Sequence, residues 1–222
     1  MKHADVTQSI EHIRSALSAW IQADLVVISK QEISWRDYRT GVFSNEYYPL
    51  EYQWLLDHRQ YSFLLRDSSF LQFYYAFDDA GILSARAALY PKPLSIKVSE
   101  DELFNAAEIA QDMEEQELSD HFLNVVEEME KRSIYPSNTS HVRFDFDREV
   151  RSHSKAHIQF GGLNDVRIEA DFVPMPYAFV EIIASAFQGF QLSHDAKAQA
   201  HSRNKALRKV EHGCLIHLAH TK

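Results

Sequence analysis

Val6, Ile10, Ile13, Leu17, Trp20 and Ile21 recur at three- and four-residue steps, which predicts a helix over about Asp5–Gln22 with one core-facing stripe. Leu25–Ser29 reads as a strand and Ser34–Asn45 as a polar loop carrying Trp35, Arg36, Asp37 and Arg39. A short aromatic element follows over Tyr47–Leu56. Tyr61–Arg66, Ser69–Phe77 and Ile82–Tyr90 are rich in aromatic and aliphatic residues and are separated by Asp67–Ser68 and Asp78–Gly81, which predicts a meander. Pro91 and Pro93 stop the third run, because proline has no N–H to give to a ladder.

Ser99–Glu102 has the form of a capping box, with acids in the first turn where the helix dipole favours them. Helices are expected over about Glu100–Met113 and about Ser119–Arg132, with a break at Tyr135–Asn138. Three alternating runs come next. Val142, Phe144 and Phe146 alternate with Arg143, Asp145 and Asp147; Ile158 and Phe160 with His157 and Gln159; Val166, Ile168 and Ala170 with Arg167, Glu169 and Asp171. A period of two marks strands with one dry and one polar face. Pro174 and Pro176 lead into a helix over about Tyr177–Gly189. A basic helix over about Asp195–Glu211 and a strand at Cys214–Leu218 complete the reading. The class is therefore α+β: a mainly antiparallel sheet, built from the meander and the three-strand region, covered by helices on one side.

The chain of 222 residues reads as a single domain with an acidic helical insertion at 99–133 and a basic C-terminal helix and tail at 195–222. Charge sharpens this division. Twelve of the 32 acids lie between Glu100 and Glu130, where there is no Lys or Arg, whereas Ala196–Val210 holds five basic residues and no acid. A net charge of −9 is thus compatible with a nucleic-acid partner, since phosphate binding depends on a local patch. No apolar run approaches the ~18 residues needed to span a membrane, and Met1–Asp5 leads into an amphipathic pattern, not a signal-peptide core. A single cysteine, Cys214, permits no internal disulfide and fits a reducing cytoplasm.

The alternating runs carry the candidate chemistry. Paired side by side, strands about 4.8 Å apart bring their polar residues within reach of one another. Asp145, Asp147 and Glu169 offer the carboxylates that Mg²⁺ or Mn²⁺ requires, and such an ion activates water at a phosphodiester. His157 is suited to move a proton, with Asp145 and Glu169 as its catalytic companions. Arg143, Arg148, Arg151 and Arg167 suit phosphate, as do Lys205 and Arg208 in the basic helix. The same pattern also fits cross-strand ion pairs on a solvated sheet. His153 and His157 have an HxxxH spacing, but four residues along a strand span about 13 Å, too far for one zinc ion without an intervening turn. Gly161–Gly162 suits a hairpin turn better than a phosphate loop.

Val142–Asp147, Ser152–Gly161, Arg167 and Phe172–Pro176 together resemble a bacterial family known as domain-of-unknown-function family 2290. In the family pattern two histidines surround the aliphatic residue of the middle strand; here the second place is Gln159. The resemblance implies a cytoplasmic protein, and some members sit beside a helicase gene in anti-phage defence loci. It assigns no catalytic residue, so Arg143, Asp145, His153, His157 and Arg167 carry over as motif positions only. The expected function is action on or near nucleic acid, as a candidate metal-dependent phosphodiesterase or nuclease with a helicase partner. The alternative is a non-catalytic adaptor or regulatory subunit that docks a helicase through acidic and aromatic surfaces.

Overall fold

In a computed structural model, which describes residues 1–40, 48–93, 100–132, 140–152, 154–160, 166–186 and 195–208, the chain divides into two compact units. One is Pro93–Thr139; the other is built from the residues on either side of it.

The larger unit opens with α1 (His3–Ala16), followed by β1 (Ile21–Asp24), β2 (Val26–Ile28) and β3 (Glu32–Trp35). Next come α2 (Tyr48–Asp57), β4 (Phe63–Leu65), β5 (Phe70–Asp78) and β6 (Gly81–Tyr90). After the inserted unit, β7 (Val142–Asp147), β8 (Ala156–Phe160), β9 (Val166–Glu169) and β10 (Phe172–Val173) lead to α5 (Pro176–Ala186), α6 (Ala196–Lys205) and β11 (Leu207–Arg208). The inserted unit holds α3 (Glu100–Asp112) and α4 (Gln116–Arg132).

β1, β4, β5, β6, β7, β8 and β9 lie side by side in that order, all antiparallel, and the β2–β3 hairpin joins the same sheet through β5. The fold is an open antiparallel sheet with helices, an α+β fold, as the alternation predicts. Its core forms because β5, β6 and β7 each send every second side chain to one face. Leu71, Phe73, Tyr75, Ala85, Ala87, Leu89, Phe144 and Phe146 meet Val6, Ile10 and Ile13 of α1 and Phe179, Val180 and Ile183 of α5 there. Each buried Val, Leu, Ile or Phe among them contributes about 1.5–3 kcal/mol by leaving water. The buried Ser9 hydroxyl accepts the Tyr177 N–H at 2.9 Å and ties α1 to α5.

The other face is not bare. Phe70, Ala88 and Tyr90 point that way and pack against Tyr48, Tyr52 and Leu55 of α2. A helix therefore covers part of the face that the sequence leaves to solvent, because these strand positions are apolar at one end and polar at the other.

Three boundaries also shift. α1 stops at Ala16, because Ile21 is taken into β1 opposite Leu65. Ser34 and Trp35 belong to a strand, not a loop; both are buried, and the Trp35 indole N–H donates to Gln60 Oε1 at 3.3 Å. α6 ends at Lys205, because Leu207 and Arg208 pair with Val173 and Phe172. The strand expected at Cys214–Leu218 lies outside the described residues. Among the described residues no helix is long and apolar enough to cross a membrane.

Candidate functional site

β6, β7, β8 and β9 are consecutive neighbours, so their register decides which polar groups meet. Phe144 and Phe146 take the core face, which leaves Arg143, Asp145 and Asp147 on the opposite one. Two rows then cross the sheet on that face. In the first, Tyr74, Arg86, Asp145, His157 and Glu169 stand opposite one another in turn. In the second, Arg143 stands opposite Gln159, and Gln159 opposite Arg167.

Asp145 is the hub. Arg86 Nε donates to its Oδ1 at 2.9 Å, and Arg143 Nε donates to its Oδ2 at 2.5 Å. Arg143 continues to the next strand, its Nη2 donating to Gln159 Oε1 at 2.6 Å. His157 is buried, and its Nε2 lies 3.9 Å from Asp145 Oδ2, beyond hydrogen-bond length. The Asp145 side chain is 17% exposed and that of Arg86 39%. Burial disfavours the Asp145 carboxylate, but the charges and hydrogen bonds of Arg86 and Arg143 outweigh it and hold the carboxyl down at about 2. The charge-assisted geometry makes these bonds stronger than neutral ones.

A second set of buried groups borders this hub. Tyr90 donates its hydroxyl to Glu51 Oε1 at 3.1 Å, and His141 Nδ1 lies 3.6 Å from Glu51 Oε2. Burial raises the Glu51 carboxyl, and the Tyr90 bond with the charges of Arg143 and Arg86 offsets only part of this. Burial, and then repulsion from Arg143 and Arg86, pushes His141 down to about 4, with Asp145 opposing. The His141 imidazole is thus neutral at neutral pH, and its contact with Glu51 is not a charged pair. On the far side of Arg86, Tyr38 stacks on Tyr74 with ring centroids 4.6 Å apart. Burial raises the Tyr38 hydroxyl to about 12 against the attraction of Arg86.

The expected site residues separate into two groups. Arg143, Asp145, His157, Arg167 and Glu169 share one face of adjoining strands. Asp147 sits at the exposed end of β7, where its Oδ1 accepts the Glu149 N–H at 2.8 Å. Arg148 clasps Asp78 with both terminal nitrogens, Nη1 donating to Oδ1 at 3.1 Å. Arg151 is exposed between β7 and β8. Lys205 Nζ lies 3.5 Å from Asp5 Oδ1, which links α6 to α1 instead of to the sheet. His153 and the side chain of Arg208 lie outside the described residues. Among the described residues no group of three or more His, Cys, Asp or Glu side chains is placed to hold a metal ion. Both Asp145 oxygens accept guanidinium N–H groups.

Sequence reasoning missed Arg86, Glu51, His141 and Gln159 as members of this network. A signal existed for two of them. Arg86 is the one charged residue in the Gly81–Tyr90 run, and Glu51 the one charged residue between Tyr47 and Leu56. A lone charge in an apolar element needs a partner elsewhere.

Comparison with curated proteins and with solved structures gives no match. The family model described as an uncharacterized conserved protein, DUF2290, matches residues 21–218. That span takes in both rows of the polar face and the α3–α4 unit, and the chain belongs to the DUF2290 family.

Proposed function

We propose that this protein is a non-catalytic accessory subunit that works beside a nucleic-acid enzyme, with a helicase of a bacterial defence system as the partner suggested by the family resemblance. One observation carries the reading: Asp145, the group best suited to chemistry, has both oxygens taken by Arg86 and Arg143. With His157 buried beside it, the polar face serves to lock β6, β7 and β8 in register. The exposed Arg151 then supplies a cation for nearby phosphates. The test is co-purification of the full-length chain with a helicase from its source organism, together with nuclease assays in Mg²⁺ and Mn²⁺. The reading expects a complex and no cleavage. Metal-dependent cleavage that disappears in a normally folded H157A variant would overturn it.

A phosphodiesterase is the second reading, favoured by the row Asp145–His157–Glu169, in which an imidazole stands between two carboxylates. Mg²⁺ or Mn²⁺ held by Asp145, Asp147 and Glu169 would compete with Arg86 and Arg143 for the Asp145 oxygens. That reading predicts a change in the Arg86 and Arg143 contacts on metal binding, which the accessory reading does not.

A further inference from the structure

The turn between α3 and α4 exposes apolar side chains in a segment rich in acids. Ile109, Met113 and Leu118 are 59%, 69% and 46% exposed. Glu108, Asp112, Glu114, Glu115, Glu117 and Asp120 are exposed in the same stretch, and no Lys or Arg occurs between Glu100 and Glu130. Five of the ten exposed large apolar side chains among the described residues belong to this one small unit. They are not needed to hold the hairpin together, since Leu103 and Val126 with Phe122 and Val125 form its own cluster. The tip is also fixed in shape. Glu114 takes a left-handed backbone conformation at φ 63, and the Glu115 N–H donates to Ala110 O at 2.9 Å, closing the end of α3.

Isolated exposed apolar residues are ordinary, but this concentration beside a single sign of charge is not. The acids repel nucleic acid and anionic membranes, so charge complementarity favours a cationic occupant. The flexible Met113 and branched Ile109 and Leu118 suit apolar anchors spaced along one side of a helix. We propose that the α3–α4 tip docks a basic amphipathic helix of a partner protein. This rests on the accessory-subunit reading and names the surface and the chemistry through which that subunit engages its partner.

The experiment titrates the full-length protein into a fluorescein-labelled peptide of about 20 Leu and Lys residues patterned as an amphipathic helix, read by fluorescence anisotropy. Binding is expected to weaken about tenfold from low to physiological ionic strength. A scrambled peptide of the same composition, with no apolar face, is expected to bind at least about tenfold more weakly. The variant I109S/M113S should lose at least about tenfold in affinity with an unchanged circular dichroism spectrum. Equal binding of the scrambled peptide, or unchanged affinity of the variant, overturns the proposal. So does a homodimer that dissociates on I109S/M113S, because the occupant is then a second copy. Helicase co-purification that survives I109S/M113S removes this surface and leaves the accessory role standing. Peptide binding that meets every expectation while no helicase co-purifies supports the surface and removes that role.

Discussion

Replacing Asp145 with asparagine keeps the shape of the side chain and removes the one charge that two guanidiniums share. Arg86 and Arg143 then face each other across a neutral amide that also presents N–H groups to them. The magnitude follows from the carboxyl itself, which is held at about 2 against an ordinary 3.8. At about 1.4 kcal/mol per unit, that amounts to roughly 2–3 kcal/mol of native-state stability. Breaking a fully buried pair costs about 3–5 kcal/mol. The 39% exposure of Arg86 lets water recover part of this, so the lower figure applies. For a chain of this length the melting temperature should fall by about 5–10 °C. Urea denaturation at neutral pH reads the free energy directly. Because the folded carboxyl titrates below the unfolded one, the stabilisation is complete above about pH 4 and is lost as pH falls towards 2. D145N should lack that part of the acid dependence. A loss under about 0.5 kcal/mol, with the wild-type acid profile retained, would refute the structural role of the network.

Three further outcomes are expected. His141 is buried and titrates at about 4 in the folded chain against an ordinary 6.5, so stability should fall as pH drops through that window, by up to about 3 kcal/mol. The raised Glu51 carboxyl opposes part of this slope, and H141F should flatten it in urea titrations across pH. S9A should cost about 1–2 kcal/mol by leaving the buried Tyr177 N–H without its acceptor, read by thermal melting. E114G should relieve the left-handed backbone at the α3–α4 turn by up to about 1 kcal/mol, seen as slower amide exchange in the hairpin.

The alternation of β7, β8 and β9 was readable directly, because a period of two in Val142–Asp147 and Ala156–Phe160 admits only one assignment of faces. The meander was readable because Asp67–Ser68 and Asp78–Gly81 are turn chemistries. The partners of Asp145 were not readable. Arg86 is 59 positions away, and only the β6–β7 register across the inserted unit sets them opposite. Without that register Asp145 reads only as a candidate metal ligand or base; with it, the same carboxylate is seen to pair with two guanidiniums. Ser34 and Trp35 show the same limit: the polar residues after them suggest a loop, while pairing with Val27 and Val26 of β2 holds them in a strand. The second face was hidden for a related reason, since α2 covers only the aromatic end of that face and leaves the charged end beside it.

The most direct test is a titration of the isotope-labelled protein with micromolar Mn²⁺, followed through backbone amide signals. If Asp145 is committed to Arg86 and Arg143, the signals of Arg143, Asp145 and His157 should keep their line widths, and nucleic acid added to the same sample should stay intact. Selective broadening of those three signals, accompanied by cleavage, would contradict the account.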